Sequence, residues 1–348
     1  MENFIDHLMI ENFKSIRELT VSGFNRINLF IGRPNVGKSN ILEAMSLFSL
    51  PYVWEGSKKL IDLVRLEDSR ELFYDGNISA DAYVQAWNEA EGSRQSKKWH
   101  AHFQRGTGGL FIEIFDHSSI RVLQEAGTTW FNYETDAKFK LTNRLLSEKD
   151  MSRWNIKSYH FNVGVKYKEI KYPFLIPPSG SNLLYVLELM PEFKELYTQW
   201  FKQYGLRLVS DRSSQSLKIL KDKGDEILLL PYSSVADTLQ RIIFYKTAVA
   251  SNENSVLLFE EPEAHAYPPY ISEFTQEVIK STTNQFFIVT HSPLIVNDFL
   301  EGAIDDLGIF MVDFKDGQTV VRPLSKAEIR EVHQYGVDLF FNNEAYLA

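Results

Sequence analysis

Apolar residues along this chain fall either into short unbroken runs or into periodic stretches. Arg26-Ile27-Asn28-Leu29-Phe30-Ile31 is a short, mainly apolar run that predicts a buried strand. Ile41, Leu42, Met45 and Phe48 follow at helical spacing and predict an amphipathic helix. Far down the chain, Val256-Leu257-Leu258-Phe259 and Gln285-Phe286-Phe287-Ile288-Val289-Thr290 repeat the buried-run pattern of a parallel sheet covered on both faces. After Pro51, to about Lys140, the chain is rich in aromatic residues and alternates: Leu110, Ile112 and Ile114 oppose Phe111, Glu113 and Phe115 across one strand. Arg105-Gly106-Thr107-Gly108-Gly109 before that strand reads as a hairpin turn, and Pro177-Pro178-Ser179-Gly180 punctuates the chain further on. Phe193, Leu196, Tyr197, Trp200 and Phe201 share one face of a helix and read as a core stripe. Val235, Leu239, Ile242 and Ile243 mark another helix, and a terminal helix is expected from Val332 to Phe341. No heptad run, internal repeat or low-complexity tail interrupts this order.

The first buried strand joins its helix through Gly32-Arg33-Pro34-Asn35-Val36-Gly37-Lys38-Ser39, which fits G-x-x-x-x-G-K-[ST]. From average residue usage, a chance match in a chain this long has odds of about one in a hundred. The strand–loop–helix context is what the motif needs: successive backbone N–H groups and a helix N-terminus then point at the phosphates of a nucleotide. Gly32 and Gly37 let the backbone approach, Lys38 reaches the β/γ oxygens, and the Ser39 hydroxyl sits on Mg²⁺. Pro34, Asn35, Val36 and Asn40 complete the expected ATP-binding segment.

The second buried strand ends in Glu260-Glu261-Pro262-Glu263. Adjacent carboxylates at the end of a buried strand are costly unless they have work. Glu260 is assigned to the metal, since Mg²⁺ prefers few carboxylates plus phosphates. Glu261 is assigned to polarise the attacking water. The third strand runs into His291, and ligands of open α/β sheets sit outside the carboxyl ends of the strands. His291 is therefore expected near the γ-phosphate with Ser39 and Glu261.

These motifs, in this order, resemble the ABC-type ATPases of the SMC, RecF and OLD (overcoming lysogenization defect) group. The opening His7-Leu8-Met9-Ile10-Glu11-Asn12-Phe13-Lys14-Ser15-Ile16 is similar to that group's first strand and Asn-Phe-Lys/Arg-Ser motif, which adds Lys14 and Ser15 to the expected ATP-binding set. Gly37-Lys38-Ser39-Asn40-Ile41-Leu42-Glu43-Ala44 resembles its P-loop helix, and Thr290-His291-Ser292-Pro293 its switch-histidine segment. Glu260-Glu261-Pro262-Glu263-Ala264-His265 resembles the OLD type of acidic strand, with Glu where ordinary ABC proteins have Asp. The resemblance covers both ends of the chain better than the middle. It implies ATP, Mg²⁺ and a head-to-tail homodimer, with ATP between one chain's P-loop and the other's signature motif. The signature is expected at Tyr232-Ser233-Ser234-Val235-Ala236-Asp237-Thr238-Leu239-Gln240-Arg241, where the family's glycines do not occur. Ser233, Ser234 or Asp237 either contacts a γ-phosphate in trans or serves only as an N-cap. Full OLD nucleases carry a TOPRIM nuclease domain after the ATPase, and too few residues follow His291 for one, Asp305, Asp306 and Asp313 notwithstanding. The resemblance therefore implies an ATPase working beside a separately encoded effector, a nuclease, in anti-phage defence.

Composition narrows the choice. The 348 residues are 44% hydrophobic, ample for a core. The absence of Cys excludes a disulfide frame, a thiolate nucleophile and a cysteine zinc site. No apolar run has transmembrane length and Met1-Glu2-Asn3-Phe4 is no signal peptide, so a cytoplasmic protein is expected. A net charge of -9 argues against DNA binding by the whole surface and leaves room for a local basic patch. The first candidate patch is Arg94, Lys97, Lys98, Trp99, Phe103 and Arg105; weaker ones are Lys166, Lys168 and Lys171, and Lys218, Lys221 and Lys223. His100 and His102 have strand spacing but no third metal ligand nearby.

The expected fold is a single α/β ABC-type P-loop ATPase. Its β-rich nucleotide lobe takes residues 1–140 with 245–348, and a mainly helical signature lobe takes 141–244. The expected function is an Mg²⁺-dependent ATP-hydrolysing switch. Three alternatives stand beside it: a nucleotide-bound scaffold without hydrolysis, favoured by the missing signature glycines; a RecF-like repair ATPase acting on DNA, disfavoured by the acidic charge; and a nuclease with a cryptic site, which no carboxylate or histidine cluster supports.

Overall fold

Residues that alternate by face in the sequence separate by layer in three dimensions. The structure, a computed structural model, describes residues 4–88, 98–106, 108–117, 129–146, 154–211 and 213–347. The chain opens with the hairpin β1 (His7–Phe13) and β2 (Ile16–Ser22), enters β3 (Ile27–Ile31) and turns into α1 (Lys38–Ser46) and α2 (Leu50–Glu55). Five strands follow: β4 (Ala82–Trp87), β5 (Lys98–Arg105), β6 (Leu110–His117), β7 (Thr129–Thr135) and β8 (Leu141–Leu146). Then come β9 (Ile156–Tyr159), α3 (Leu183–Leu189), α4 (Pro191–Lys202), β10 (Leu206–Asp211), β11 (Ser216–Asp222), β12 (Ile227–Pro231) and α5 (Asp237–Ala250). The chain closes with β13 (Val256–Glu260), α6 (Pro268–Lys280), β14 (Gln285–Val289), α7 (Pro293–Gly302), β15 (Leu307–Lys315), β16 (Gln318–Pro323) and α8 (Lys326–Tyr335).

The strands form three sheets, ordered β2-β1-β4-β5-β6-β7-β8, β16-β15-β3-β14-β13-β9 and β10-β11-β12. In the second, β15, β3, β14, β13 and β9 are mutually parallel and only the edge strand β16 is antiparallel. The buried runs are buried because this sheet is covered on both sides. Phe30, Phe287, Leu258 and Val312 pack with Ile41 and Met45 of α1 and with the first sheet. Leu29, Ile31, Phe259, Ile288 and Met311 pack with Ile243 of α5, Phe274 of α6 and Phe299 of α7. In the first sheet, Leu110, Ile112 and Ile114 of β6 are buried and Phe111 and Glu113 are half-buried, as the alternation requires. The glycine-rich segment before β6 is the expected hairpin, with Gly106 N donating to Gly109 O at 2.9 Å. Tyr197 and Phe201 of α4 are buried, and Phe193, Leu196 and Trp200 pack beside them.

Two expectations change. The segment 141–244, expected to be mainly helical, carries β8, β9 and the whole three-stranded sheet beside α3 and α4. Here Leu217 and Ile219 are buried between half-buried Ser216 and Lys218, a strand period. β9 belongs to the parallel sheet, paired with β13. The terminal helix runs Lys326–Tyr335 rather than from Val332 to Phe341: Ser325 and Glu328 form a capping box at its start, and Gly336 ends it in the left-handed region at φ 61°. Among the described residues no helix is long and apolar enough to cross a membrane.

Parallel strands deliver their carboxyl ends to one edge of the sheet. β3, β14, β13 and β9 therefore bring the P-loop, His291, the acidic pair and His160 to one line.

Candidate functional site

The loop between β3 and α1 is shaped by its glycines. Gly37 caps α1 at φ 98°, no side chain caps that helix, and no acid lies in its first turn. Its first N–H groups and its positive dipole end are left for an anion. A Cβ on Gly32 would lie 2.2 Å from Val312 O, and one on Gly37 would lie 1.9 Å from Thr319 Oγ1. The glycines thus let the loop close against β15 and β16. Thr319 Oγ1 donates to Val36 O at 2.9 Å and lies 2.6 Å from Ser15 Oγ, which accepts from Asn40 Nδ2 at 2.7 Å. Ser15 and Asn40 therefore brace the loop from behind. Arg33, Pro34 and Asn35 form its exposed tip, Val36 is buried, and Ser39 is half-buried.

Lys38 is buried and folds back on the loop, with Nζ donating to Gly32 O at 2.9 Å and Arg33 O at 2.6 Å. Burial lowers its pKa to about 8, against the upward pull of Glu261. Those two carbonyls are weak partners for an ammonium and leave it exchangeable for phosphate oxygens.

Glu260 ends β13, and its Oε1 accepts from Arg65 Nη2 at 2.8 Å. Arg65 Nε also donates to Glu43 Oε1 at 2.7 Å, and Glu43 in α1 is 2% exposed. Lys14, expected to bind ATP, is an ion-pair partner of Glu43 here and donates to Arg65 O at 2.6 Å. A buried carboxylate requires such pairing. Glu261 sits at φ 42°, with its N–H on Val289 O at 2.9 Å. His291 Nε2 lies 3.6 Å from Glu261 Oε1. Partial burial and then Lys38 hold the His291 pKa below its ordinary value, against Glu261. Lys38, Glu261 and His291 thus share one field.

Ser233 and Ser234 are exposed in a short turn before α5. Ala236 is the N-cap of that helix and no side chain caps it, so neither serine serves as the cap. Asp237 Oδ2 accepts from Arg241 Nε at 2.9 Å.

The first basic–aromatic patch is corrected: Trp99 and Phe103 are fully buried and cannot stack on bases, because they lie on the inner face of β5. Arg94 and Lys97 lie outside the described residues. Lys98 sits over the Trp87 ring at 5.5 Å, and Arg105 is exposed. His100 stacks on Phe115, and His102 is held by Asp81 at 2.9 Å and Glu113 at 3.3 Å. Lys218 is paired with Asp211, Lys171 with Glu169, and Lys168 with Gly56 O; Lys166, Lys221 and Lys223 are exposed.

Sequence reasoning missed Glu43, Arg65 and Thr319 as parts of the site. Glu43 had a signal: it is an acid beside Leu42 and Met45, on the apolar face of the helix. Arg65 and Thr319 had none, since their partners lie in distant segments. The donor set of the Ser39 hydroxyl and Glu260 carboxylate is all oxygen and fits Mg²⁺, and the uncapped N–H groups fit phosphates.

Residues 27–297 match the family described as "AAA domain, putative AbiEii toxin, Type IV TA system". The chain is 23% identical over 237 residues to the DNA replication and repair protein RecF of Caldanaerobacter subterraneus subsp. tengcongensis, covering 65% of this chain and 58% of that protein. A 47-residue stretch is 38% identical to RecF of Lactobacillus acidophilus, 14% of this chain and 12% of that one. Another match, 46% over 44 residues, is to the uncharacterized protein MJECL10 of Methanocaldococcus jannaschii, 13% of this chain and 20% of that one. The chain spans less than two thirds of the length of each of these relatives. In fold it is similar to an Smc head solved with the C-terminal winged-helix domain of ScpA, at TM-score 0.50 and 14% identity, covering 94% of this chain and 99% of that one. The architecture is that of the ABC-type ATPase heads.

Proposed function

The chain belongs to this AAA-domain family of ABC-type P-loop ATPases, and from that premise we propose that it is an Mg²⁺-dependent ATP-hydrolysing switch. The supporting observation is the convergence of Lys38, Glu261 and His291 at the carboxyl edge of the parallel sheet. The loop N–H groups and the N-terminus of α1 hold the phosphates. Lys38 exchanges the carbonyls of Gly32 and Arg33 for β/γ oxygens. Ser39 and Glu260 would hold Mg²⁺, which when bound neutralises charge on those oxygens. Glu261 orients the attacking water and takes its proton as the new P–O bond forms and the bond to the β,γ-bridging oxygen breaks. His291 stays neutral at pH 7 and offers a ring N–H toward the γ-phosphate.

ATP binding closes a head-to-tail homodimer across Ser233, Ser234 and Asp237, and hydrolysis reopens it. The dimer gates a separately encoded effector, a nuclease, in defence against phage. The family resemblance and the description of the matched family as a toxin of a type IV toxin–antitoxin system support this part.

The test is ATP turnover with solution mass for wild type and Glu261→Gln, with and without ATP·Mg²⁺. Wild type should turn over ATP, and the variant should stop turnover and accumulate at twice the mass with ATP. If neither hydrolyses and mass ignores nucleotide, the chain is a static scaffold. The role in defence is tested by phage challenge of cells carrying the chain and its effector: Lys38→Ala should abolish protection, and unchanged protection would remove ATP from the mechanism.

A second reading, action on DNA, is favoured by the 23% identity to one protein named RecF over 65% of the chain. Salt-sensitive DNA binding lost on changing Lys97 and Lys98 would select it.

A further inference from the structure

Glu263 is a half-buried acid that the hydrolytic reading leaves without work. It lies in the turn after β13, two residues beyond Glu261. Its Oε1 accepts from the Thr290 hydroxyl and from the His291 backbone N–H, both at 2.7 Å. Thr290 Oγ1 in turn accepts from Ser292 N–H at 3.0 Å, and Ala266 N–H donates to Glu263 O at 2.9 Å. The other carboxylate oxygen, Oε2, is buried with no hydrogen-bond partner among the described residues. Burial pushes the Glu263 pKa up, opposed by the His291 and Thr290 hydrogen bonds, and Glu261 adds repulsion.

Leaving a buried carboxylate oxygen unpaired is costly, and an apolar side chain would fill the space without that cost. What an apolar side chain cannot do is accept two hydrogen bonds from the turn 290–292. That turn has few other ties: Thr290 N reaches Phe30 O only at 3.4 Å. We propose that Glu263 is a positioning residue, whose Oε1 fixes the turn after β14 so that the His291 ring faces Glu261 and Lys38. The proposal rests on the reading of His291 as part of the hydrolytic site. Glu263 touches the turn that carries His291, not the P-loop. It therefore sets turnover and leaves nucleotide binding to the P-loop.

The experiment uses the full chain with Glu263→Gln, Glu263→Leu and Thr290→Val. It measures kcat and KM for ATP, nucleotide affinity, and hydrogen exchange of the His291 amide without nucleotide. The Gln carbonyl still accepts both hydrogen bonds, so Glu263→Gln should keep slow exchange and near wild-type kcat. Glu263→Leu should speed exchange and lower kcat about 10- to 100-fold, the scale of an ångström-sized misplacement, with affinity unchanged. Thr290→Val removes one of the two donors and should fall between; it decides the matter if the leucine variant does not fold. Wild-type kcat with fast exchange in Glu263→Leu would overturn the proposal. So would equal losses in the Gln and Leu variants, which would point to charge rather than position. If wild type does not hydrolyse ATP, the hydrolytic reading falls, while the exchange of the His291 amide still decides the anchoring.

Discussion

Lys157 on β9 buries its ammonium among neutral partners: Nζ donates to Asn252 Oδ1 at 2.6 Å and Ser255 Oγ at 3.1 Å, with the Phe174 ring 3.7 Å away. Burial lowers its pKa from 10.5 to about 7. Between those two values the unfolded chain binds more protons at this site than the folded one does. This site's contribution to stability therefore rises with pH through that window, by at most about 1.4 kcal/mol per unit, and is flat below it. Lys157→Met should remove this slope and raise the denaturation midpoint at pH 7, measured by urea unfolding from pH 6 to 9. An unchanged slope would mean that the ammonium is already solvated. Gly37 carries a different constraint, steric rather than electrostatic. At φ 98°, with Thr319 Oγ1 1.9 Å from where a Cβ would stand, Gly37→Ala must push β16 away or deform the loop. It should cost about 2–4 kcal/mol in stability and abolish ATP binding, read by thermal melts and equilibrium dialysis. Wild-type affinity in that variant would show that the loop is not the nucleotide cradle.

Between elements, the chain Lys14–Glu43–Arg65–Glu260 ties the β1–β2 turn, α1, the loop before β4 and the end of β13 into one alternating-charge network. Arg65 holds the carboxylate proposed for the metal, so metal-assisted nucleotide binding competes with an ion pair. The Arg65 side chain is 66% exposed, and an exposed pair contributes no more than about 1 kcal/mol. Arg65→Ala should therefore tighten Mg²⁺·ATP binding by up to about fivefold, measured calorimetrically. Weaker binding would show that Arg65 moves onto the phosphates instead of merely leaving Glu260. This network also marks where the sequence stops being readable. β3, β13 and β14 were legible because each is a short, mainly apolar run, and the P-loop because its spacing is local. β6 was legible from its alternation. The three-stranded sheet was hidden inside a segment read as helical, because Arg207 interrupts β10, Lys218 and Lys221 interrupt β11, and the helices α3 and α4 precede them. Arg65 was invisible because its partners stand at positions 43 and 260. Trp99 and Phe103 misled because cations flank them in sequence, whereas the pleat turns both rings into the core.

At the scale of the whole molecule, the open question is whether each site is built from one chain or two. The Ser233-Ser234 turn is exposed and the N-terminus of α5 lacks a side-chain cap, so both can meet an anion from outside the chain. A head-to-tail dimer makes this testable by mixing. Lys38→Ala removes the P-loop cation; Ser234→Asp, at an exposed position, sets a negative charge against the phosphate without disturbing the core. In a dimer with composite sites, each variant alone has two broken sites. A mixed dimer has one site broken twice and one site intact, because the good P-loop of one chain meets the good turn of the other. Equimolar mixing after subunit exchange should then restore about a quarter of wild-type turnover, since half of the dimers are mixed and each has one of two sites. If the turn served its own chain's P-loop, every site in every dimer would stay broken and mixing would restore nothing. A Ser234→Asp chain as active as wild type would remove the turn from the site altogether, and with it the argument that ATP holds two copies together.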